Sequence, residues 1–291
     1  MGPALKILAP AKVNWFLEVL HKRPDGFHAI ETVMQAISLF DEITVQNAPE
    51  LTLACSIDLG PVESNLAFRA AELLRQRHAP GRGARITLTK RIPHGAGLGG
   101  GSSDAAATMV ALNRLWGIGL SSTRMQELVA EIGSDCAFFI EGGTSLCTGR
   151  GEIVEPLPDV PAVDLVILYP STVCPTGPVY ADASSHLTGN PKKCYLFHVL
   201  KRDTNRTELA PAIFNRLQES ALRVSSGLRQ AWSQTDRLPG VLARFVSGSG
   251  SSIAFLMADP ESASSLATSL KEMGLGQAFA VASLPRGAVW G

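Results

Sequence analysis

A glycine-rich stretch in the first half of the chain, PHGAGLGGGSSDAA from Pro93 to Ala106, has the composition of an anion-binding loop. Five glycines fall within seven residues and two serines follow them: Gly95, Gly97, Gly99, Gly100, Gly101, Ser102 and Ser103. Glycines allow successive backbone N–H groups to converge on an anion, and a helix that begins there adds unpaired N–H groups and partial positive charge. The two hydroxyls can contact phosphate oxygens or a magnesium ion bound to phosphate. The stretch therefore predicts a site for a phosphate chain.

Two standard nucleotide motifs match this loop only in part. Gly95, Gly97 and Gly100 have the G-x-G-x-x-G spacing, but that fingerprint sits in the tight turn directly after a first strand, and this loop lies well inside the chain. Gly95 and Gly100 have the Walker spacing, but Gly101 stands where the lysine belongs. A merely flexible or close-packed turn fits less well, because the loop opens directly into an apolar helix. Phosphate binding without either standard motif is the prediction.

The elements predicted around the loop place it between a strand and a helix. ARITLTKRI before the loop alternates as a strand does, and SDAAATMVALNRLW after it is alanine-rich, as in a helix packed closely on a sheet. Further helices are predicted at Asn65–His78 with Ser64 as N-cap, at Thr123–Gly133 with Thr123 and Gln126 as a capping box, at Ile213–Val224 and at Glu261–Met273. Further strands are predicted at Leu5–Ala9, Val13–Leu20, Leu51–Cys55, Val241–Val246, Ser252–Met257 and Ala278–Ser283, and a mobile loop at Ala181–Lys193.

Length and charge narrow the class of protein. At 291 residues the chain exceeds one ordinary hydrophobic core, so we expect two domains, 1–160 and 161–291, divided near the proline-rich segment Pro156–Pro161. Lys plus Arg and Asp plus Glu both number 26, and zero net charge argues against binding to nucleic acid or an anionic membrane. No leader or membrane-spanning run is evident. We expect a cytoplasmic protein, monomeric or weakly dimeric, with small-molecule partners.

Cysteine and histidine spacing predicts neither a disulfide framework nor a bound transition metal. The five cysteines are scattered without a C-x-x-C pair, and the six histidines have no ligand-like spacing. We interpret the cysteines as buried thiols. They are Cys55, Cys136, Cys147, Cys174 and Cys194.

Three segments in order resemble the three motifs of the galactokinase, homoserine kinase, mevalonate kinase and phosphomevalonate kinase (GHMP) superfamily. They are PAKVNWFLEV near the start, PHGAGLGGGSSDAA in the middle and VSGSGSS near the end. One branch of that superfamily, whose substrate carries a cytidine, is resembled by six segments taken together: PAKVN, RPDGFH, ESNLAFRAAELL, GLGGGSSDAA, GSDCAFF and SGSGSS. The resemblance is close over most of the first 180 residues and loose over the rest.

The resemblance implies a fold class, a donor and a reaction. The fold is α+β with two domains, an N-terminal domain like ribosomal protein S5 domain 2 and a C-terminal ferredoxin-like α/β sandwich, and the active site lies in the cleft between them. The donor is ATP, accompanied by Mg²⁺, and the acceptor is a small-molecule alcohol. The chain is thus expected to be a small-molecule kinase.

The resemblance also implies the residues that carry the chemistry. Lys12 lies in the first motif and Asp135 stands where the superfamily keeps its catalytic aspartate; paired closely, the lysine would keep the aspartate ionised and stabilise developing charge. Taken alone, a lysine before a strand is usually solvated and an aspartate after glycine is usually a turn or cap residue. The family match is what favours catalysis.

Binding residues follow from the same resemblance. ATP is expected at Pro93, Gly95, Ala96, Gly97, Leu98, Gly99, Gly100, Gly101, Ser102 and Ser103, with Asn65 and Lys90 on the adenine side, and an additional glycine loop at Gly248, Ser249 and Gly250. The substrate is expected at Asn14, Phe27, His28, Thr176 and Tyr180, with Phe27 and Tyr180 stacking on the cytosine and His28 contacting its edge.

Structural roles remain open for several of these residues. Asn14 is equally consistent with a buried structural asparagine, Asn65 with a helix N-terminal residue, and Lys90 with an exposed cation at a strand end. The second glycine loop is also consistent with a bulge or hairpin. Phe27, where the resembling branch more often has tyrosine, keeps the stacking face, and Trp15 replaces a smaller apolar residue.

Two other functions fit the sequence less well than a kinase whose substrate carries a cytidine. A kinase for another small alcohol, such as homoserine or a mevalonate derivative, is disfavoured by DGFH together with Tyr180. A nucleotide-binding sensor without turnover is disfavoured by the presence of both Lys12 and Asp135, since binding alone needs no base.

Overall fold

The computed structural model describes residues 4–158, 162–186 and 206–286, which form two β-sheets with helices packed on them. The strands are β1 (Leu5–Lys22), β2 (His28–Ala48), β3 (Thr52–Cys55), β4 (Gly83–Thr89), β5 (Thr144–Thr148), β6 (Ile153–Pro156), β7 (Asp164–Tyr169), β8 (Phe214–Asn215), β9 (Val241–Val246), β10 (Ile253–Met257) and β11 (Gln277–Ala282). The helices are α1 (Leu66–His78), α2 (Gly100–Leu115), α3 (Ser122–Val129), α4 (Thr176–Ser185), α5 (Arg206–Leu209), α6 (Gln218–Val224), α7 (Ser226–Gln234) and α8 (Pro260–Glu272). None of these helices is long and apolar enough to cross a membrane.

The first sheet has the order β3-β4-β2-β1-β8, and β5 and β6 extend it beside β2. Its centre is the long antiparallel pair of β1 and β2, which carries Lys12 opposite Ala36. The prediction of two short strands on either side of Pro10 is wrong. Proline lacks an N–H, and β1 accommodates it by a register shift between Pro10 and Ala11, after which the strand continues to Lys22.

Helix α2 presses an alanine-rich face against this sheet. Ala105, Ala106, Ala107 and Ala111 are fully buried in the core formed with α1 and strands β1, β2 and β4. Small side chains let a helix axis approach a sheet closely, so the start of α2 is held in a fixed position. The strand, glycine loop and helix order predicted from the sequence is confirmed.

The second sheet has the order β11-β7-β10-β9 with antiparallel neighbours throughout, and α8 packs on it. The chain returns twice from this half to the first sheet. β8 pairs in parallel with β1 at Phe16 and Leu17, and an isolated bridge joins Ser283 to Ile37.

Several predicted element limits are corrected by the structure. The N-cap of α1 is Asn65, whose side chain accepts from the Ala67 N–H, while the Ser64 hydroxyl donates to the Pro61 carbonyl. The N-cap of α3 is Ser121, so the capping box at Thr123 is wrong. The region predicted as one helix from Ile213 opens with β8, and Ala181–Ser185 belongs to α4. The mobile loop predicted at Ala181–Lys193 therefore begins within a helix. Its residues 187–193, and Cys194, lie outside the described residues.

Candidate active site

Two adjoining cavities bring the predicted site residues together. The larger, about 900 Å³, is lined by Lys12, Asn14, Phe27, His28, Gly95, Gly97, Gly99, Asp135, Thr176, Tyr180, Gly248, Ser249 and Gly250. The smaller, about 450 Å³, is lined by Asn65, Lys90, Pro93, Gly95–Ser102 and Thr176. Both volumes are in the range of small-molecule sites. Ser103 lines neither cavity, because its side chain is fully buried at the start of α2.

The glycines of the first loop are required for different reasons. Gly95, Gly97 and Gly99 all have positive φ, between 67° and 76°. A Cβ on Gly97 would lie 2.2 Å from the Ser247 carbonyl oxygen, and one on Gly99 would lie 2.7 Å from the Phe139 ring. A Cβ on Gly95 would meet nothing within 4 Å. The protein's own packing thus explains two of the glycines, and Gly95 is the one whose open surroundings leave room for a ligand.

The two glycine loops are joined through the carbonyls of the first. The Gly97 carbonyl accepts from Lys12 Nζ at 2.9 Å and from the Ser247 hydroxyl at 3.0 Å, and the Ala96 carbonyl accepts from the Ser252 N–H at 3.0 Å. Asn215 anchors the second loop, because its side-chain amide donates hydrogen bonds to the Val246 and Gly248 carbonyls. The second loop is therefore part of one rigid wall with the first.

Lys12 and Asp135 meet at this wall. Lys12 is only 4% exposed, and its Nζ lies 3.9 Å from Asp135 Oδ2, which is 31% exposed at the turn after α3. Burial lowers the pKa of Lys12, and the nearby Asp135 carboxylate opposes that shift. The alternative of a solvated lysine is therefore not observed. The structure places an ammonium and a carboxylate side by side in the larger cavity.

Asn14 holds the Lys12 ammonium from the same side of β1. Its Oδ1 accepts from Lys12 Nζ at 2.7 Å, and its Nδ2 donates to the Thr32 hydroxyl, which in turn donates to the Phe16 carbonyl. Asn14 is thus a buried structural residue that also lines the cavity. Trp15 faces the other way, fully buried with its ring 5.7 Å from that of Phe245, so it serves the core.

Lys90 sits in a buried cluster with two carboxylates. Its side chain is 4% exposed and donates to Asp41 and, at 2.6 Å, to Asp104 Oδ2. The interpretation as an exposed strand-end cation is therefore wrong. Burial raises the pKa of Asp104 to about 7, against the attraction of Lys90. The same two carboxylates raise the pKa of Lys90, although its burial acts in the opposite direction.

Replacing Asp104 by asparagine is expected to flatten the pH dependence of stability in acid. Because the folded protein raises the pKa of Asp104 from 3.8 to about 7, it binds more protons than the unfolded chain between those values, and stability falls as pH rises through them. Urea unfolding at pH 5 and pH 8 measures this loss. It should shrink in Asp104→Asn and persist in Asp236→Asn, whose side chain is 67% exposed. An unchanged loss in Asp104→Asn would contradict the shift.

Phe27, His28 and Tyr180 also line the larger cavity. Phe27 is half exposed, and the Arg150 guanidinium lies 4.9 Å from its ring centre. The His28 and Tyr180 rings stack at 5.3 Å, and His28 Nε2 lies 2.6 Å from the Ser184 hydroxyl. Burial, followed by the charge of Lys22, lowers the pKa of His28. One face of Tyr180 is thus occupied by His28.

Thr176 and Asn65, both predicted at the site, line the smaller cavity. Thr176, at the start of α4, lines both cavities, and its hydroxyl is 3.0 Å from that of Ser249 in the second loop. Asn65 lines the smaller cavity while its Oδ1 caps α1. The structural alternative for Asn65 is therefore observed, and the residue also lines the cavity.

Four residues at the site were missed by the sequence analysis. Asp41 and Asp104 hold Lys90, Arg150 covers Phe27, and Ser184 contacts His28. Asp104 could have been found from the sequence, because it directly follows Ser102 and Ser103 in the glycine-rich stretch. The other three come from distant segments without a recognisable pattern.

Comparison with known proteins bears on the family and the fold of this chain. The model of the GHMP kinases N-terminal domain matches residues 65–143. A 4-diphosphocytidyl-2-C-methyl-D-erythritol kinase of Synechococcus sp. strain CC9605 is 39% identical over 290 residues, covering 93% of this chain and 94% of the relative. A crystal structure of 4-(cytidine 5'-diphospho)-2C-methyl-D-erythritol kinase superposes with a TM-score of 0.80 at 33% identity, covering 96% of this chain and 99% of that one.

A more distant match shows how far the fold extends. The crystal structure of homoserine kinase from Cytophaga hutchinsonii superposes with a TM-score of 0.71 at 20% identity, covering 98% of this chain and 96% of that one, which shows the common fold alone. The architecture is thus the mixed α+β fold of GHMP kinases. With a relative 39% identical over nearly its full length, the chain belongs to the 4-diphosphocytidyl-2-C-methyl-D-erythritol kinase family.

Proposed function

We propose that this chain transfers the γ-phosphoryl group of ATP to the 2-hydroxyl of 4-diphosphocytidyl-2-C-methyl-D-erythritol, a step of non-mevalonate isoprenoid precursor synthesis. Family membership supports the substrate. The observation that carries the chemistry is the approach of Lys12 Nζ to Asp135 Oδ2, 3.9 Å apart, in the larger of two cavities that share the glycine loop. A phosphoryl donor in one cavity and an alcohol in the other would meet at this pair.

ATP occupies the smaller cavity in this proposal. The loop from Gly95 to Ser102 lines it, and α2 begins at Gly100, so unpaired N–H groups of the first helical turn face a phosphate chain. Asn65 and Lys90 lie at the same cavity and would be near the adenine. Since Lys90 is already bonded to two carboxylates, we assign it chiefly to holding the loop, with Asn65 contacting the base.

Asp135 and Lys12 act on the acceptor hydroxyl. Asp135 is exposed enough to receive the hydroxyl proton or to orient the hydroxyl toward the phosphorus, and phosphoryl transfer depends mainly on such positioning and on charge neutralisation. Lys12, fixed by Asn14 and the Gly97 carbonyl, keeps the carboxylate ionised and offers positive charge to the transferring group.

Mg²⁺ accompanies ATP in this proposal, and the residues present fit it. Ser102 and Asp104 line the ATP cavity, and Asp104 Oδ1 is a buried carboxylate oxygen without a hydrogen-bond partner among the described residues. Hydroxyl and carboxylate oxygens are the ligands this ion prefers, alongside phosphate oxygens. Bound there, it would neutralise charge on the phosphates.

The cytidine lies in the larger cavity. Phe27 and Tyr180 offer aromatic faces to the cytosine and His28 offers a polar edge, all on the wall of one cavity. Thr176 lines the same cavity, as does Asn14, which is bonded to Lys12, and both would lie near the erythritol. The family's more frequent tyrosine at the Phe27 position would add only a hydroxyl to the same stacking face.

The domain division is part of the proposal. Two separate sheets support an N-terminal unit, 1–160, like ribosomal protein S5 domain 2 and a ferredoxin-like C-terminal unit, 161–291, with the site between them. β8 and the bridge from Ser283 belong to the second half of the chain but pair with the first sheet, so the units are not independent. A cytoplasmic location stays a prediction.

An acceptor panel tests this function. Purified protein with ATP and Mg²⁺ is offered 4-diphosphocytidyl-2-C-methyl-D-erythritol, homoserine or mevalonate, and ADP release is followed, with a reaction lacking any acceptor as control. We expect rapid acceptor-dependent release with the cytidyl substrate alone. Turnover with homoserine or mevalonate and none with the cytidyl substrate would remove the proposal, and ATP binding without turnover on any acceptor would favour a sensor.

A further inference from the structure

Ser184, on α4, forms a hydrogen-bond relay at the wall of the larger cavity. Its hydroxyl oxygen lies 2.7 Å from the Tyr180 carbonyl oxygen and 2.6 Å from His28 Nε2. Both are hydrogen-bond distances, and a serine hydroxyl has one hydrogen to donate.

Counting hydrogens assigns the donor in each contact. A carbonyl oxygen can only accept, so the Ser184 hydrogen is donated to Tyr180. If that hydrogen pointed at His28 instead, two acceptor oxygens would face each other at 2.7 Å. His28 Nε2 therefore carries a hydrogen and donates it to Ser184.

The other nitrogen of His28 is then an acceptor. Burial lowers the pKa of His28 below 6.5, so the ring is neutral at pH 7 and only one of its nitrogens is protonated. With the hydrogen on Nε2, Nδ1 presents a lone pair. Within the described residues Nδ1 has no hydrogen-bond partner and it is not among the buried unpartnered atoms, while the ring lines the cavity and is held by its stack on Tyr180.

We propose that Ser184 is a specificity-determining positioning residue that fixes the tautomer of His28, so that Nδ1 accepts from the exocyclic amino group of cytosine and rejects uracil. The inference rests on the proposed function, which places the cytidine at this wall. Cytosine presents an amino donor at the position where uracil presents a carbonyl acceptor. An acceptor on the protein pairs with the first and repels the second.

Turnover of a base-exchanged substrate tests this role. The wild type, Ser184→Ala and Ser184→Thr are each assayed with the cytidyl substrate and with its uridine analogue. In Ser184→Ala the His28 hydrogen is free to sit on Nδ1 and donate to uracil, so the preference for cytidine in kcat/KM should fall by about tenfold to a hundredfold. The change should lie mainly in KM, and Ser184→Thr, which keeps the hydroxyl, should restore the preference.

The neighbouring serine is a matched control. The Ser185 hydroxyl donates to the Asp182 carbonyl at 2.7 Å and lies 3.0 Å from His186 Nδ1, but Ser185 is exposed and outside the cavity. Ser185→Ala therefore removes the same kind of contact and should leave the base preference unchanged. An equal loss in both variants, or no loss in Ser184→Ala, would overturn the proposal.

The tautomer itself is measured without any substrate. Nitrogen NMR of the full-length protein at neutral pH distinguishes protonated from bare ring nitrogens, and His28→Gln assigns the signals. We expect hydrogen on Nε2 of His28 in the wild type and a mixture in Ser184→Ala. Hydrogen on Nδ1 in the wild type sinks the proposal even if the enzyme is active. Absent turnover with the cytidyl substrate, by contrast, removes the proposed function and leaves the hydrogen assignment standing.

Discussion

Asp135→Asn is expected to lower kcat by about 10²- to 10⁴-fold while leaving ATP affinity and the fold nearly intact. The amide keeps the shape of the carboxylate but cannot take a proton or hold the charge of Lys12. Lys12 keeps its bonds to Asn14 and to the Gly97 carbonyl, and Asp135 is 31% exposed, so the fold should survive; since the buried ammonium loses its carboxylate partner, we expect a cost of about 1–3 kcal/mol of stability. Steady-state kinetics, ATP titration and urea unfolding give the three quantities.

The matched control for this variant is Asp236→Asn. Asp236 is 67% exposed, pairs with Arg244 and lines neither cavity. Its replacement should leave kcat within experimental error. A kcat of Asp135→Asn close to that of the wild type would show that another group handles the acceptor hydroxyl, and the mechanism proposed above would be abandoned.

Gly97→Ala is expected to destabilise the protein by about 3 kcal/mol or more and to abolish most activity. The new Cβ would lie 2.2 Å from the Ser247 carbonyl oxygen and 2.8 Å from that of Gly250, so the second glycine loop must move. Backbone atoms of a tied loop cannot rotate away as a side chain can. Any shift of residue 97 itself would also displace its carbonyl, which anchors Lys12.

Gly95→Ala isolates the packing contribution from the backbone strain. Gly95 and Gly97 have similar positive φ values, 67° and 76°, so alanine is strained by roughly 1–2 kcal/mol at both. Only at Gly97 does the Cβ collide with backbone. Urea unfolding without nucleotide compares them, and equal losses of stability would show that the contact between the two loops is looser than the structure indicates.

The sequence predicted those parts of the fold whose signals are local. The alternation before Pro93, the glycine run and the alanine-rich segment after it each report on neighbouring residues, and together they placed a loop between β4 and α2. The predicted N-caps of α1 and α3 lie one and two positions from the observed ones, because neighbouring residues there also have side chains that can cap a helix. Ser64 and Asn65 both have side chains that can cap a helix. In the structure the Ser64 hydroxyl bonds back to the Pro61 carbonyl, and Asn65 caps α1.

The site depended on contacts that no local pattern encodes. Lys12 and Asp135 are 123 positions apart, and only the family motifs indicated that they meet. The sequence leaves an exposed cation open as an alternative for Lys90 because its partners, Asp41 and Asp104, lie on β2 and α2, far from it in the chain. A buried charge is stable only with such partners, and their identity is fixed by tertiary packing.

The pairing of β8 with β1 limits how the cleft can admit its substrates. Phe214 and Asn215 are hydrogen-bonded partners of Phe16 and Leu17, and Arg216 grips the buried Glu18 through two bonds of 2.7 and 2.8 Å. Because a strand of the second half pairs within the sheet of the first, a rigid-body rotation of one half away from the other would break this pairing. We therefore expect substrates to enter and products to leave through the openings of the two cavities, with side-chain and loop movements rather than a domain opening.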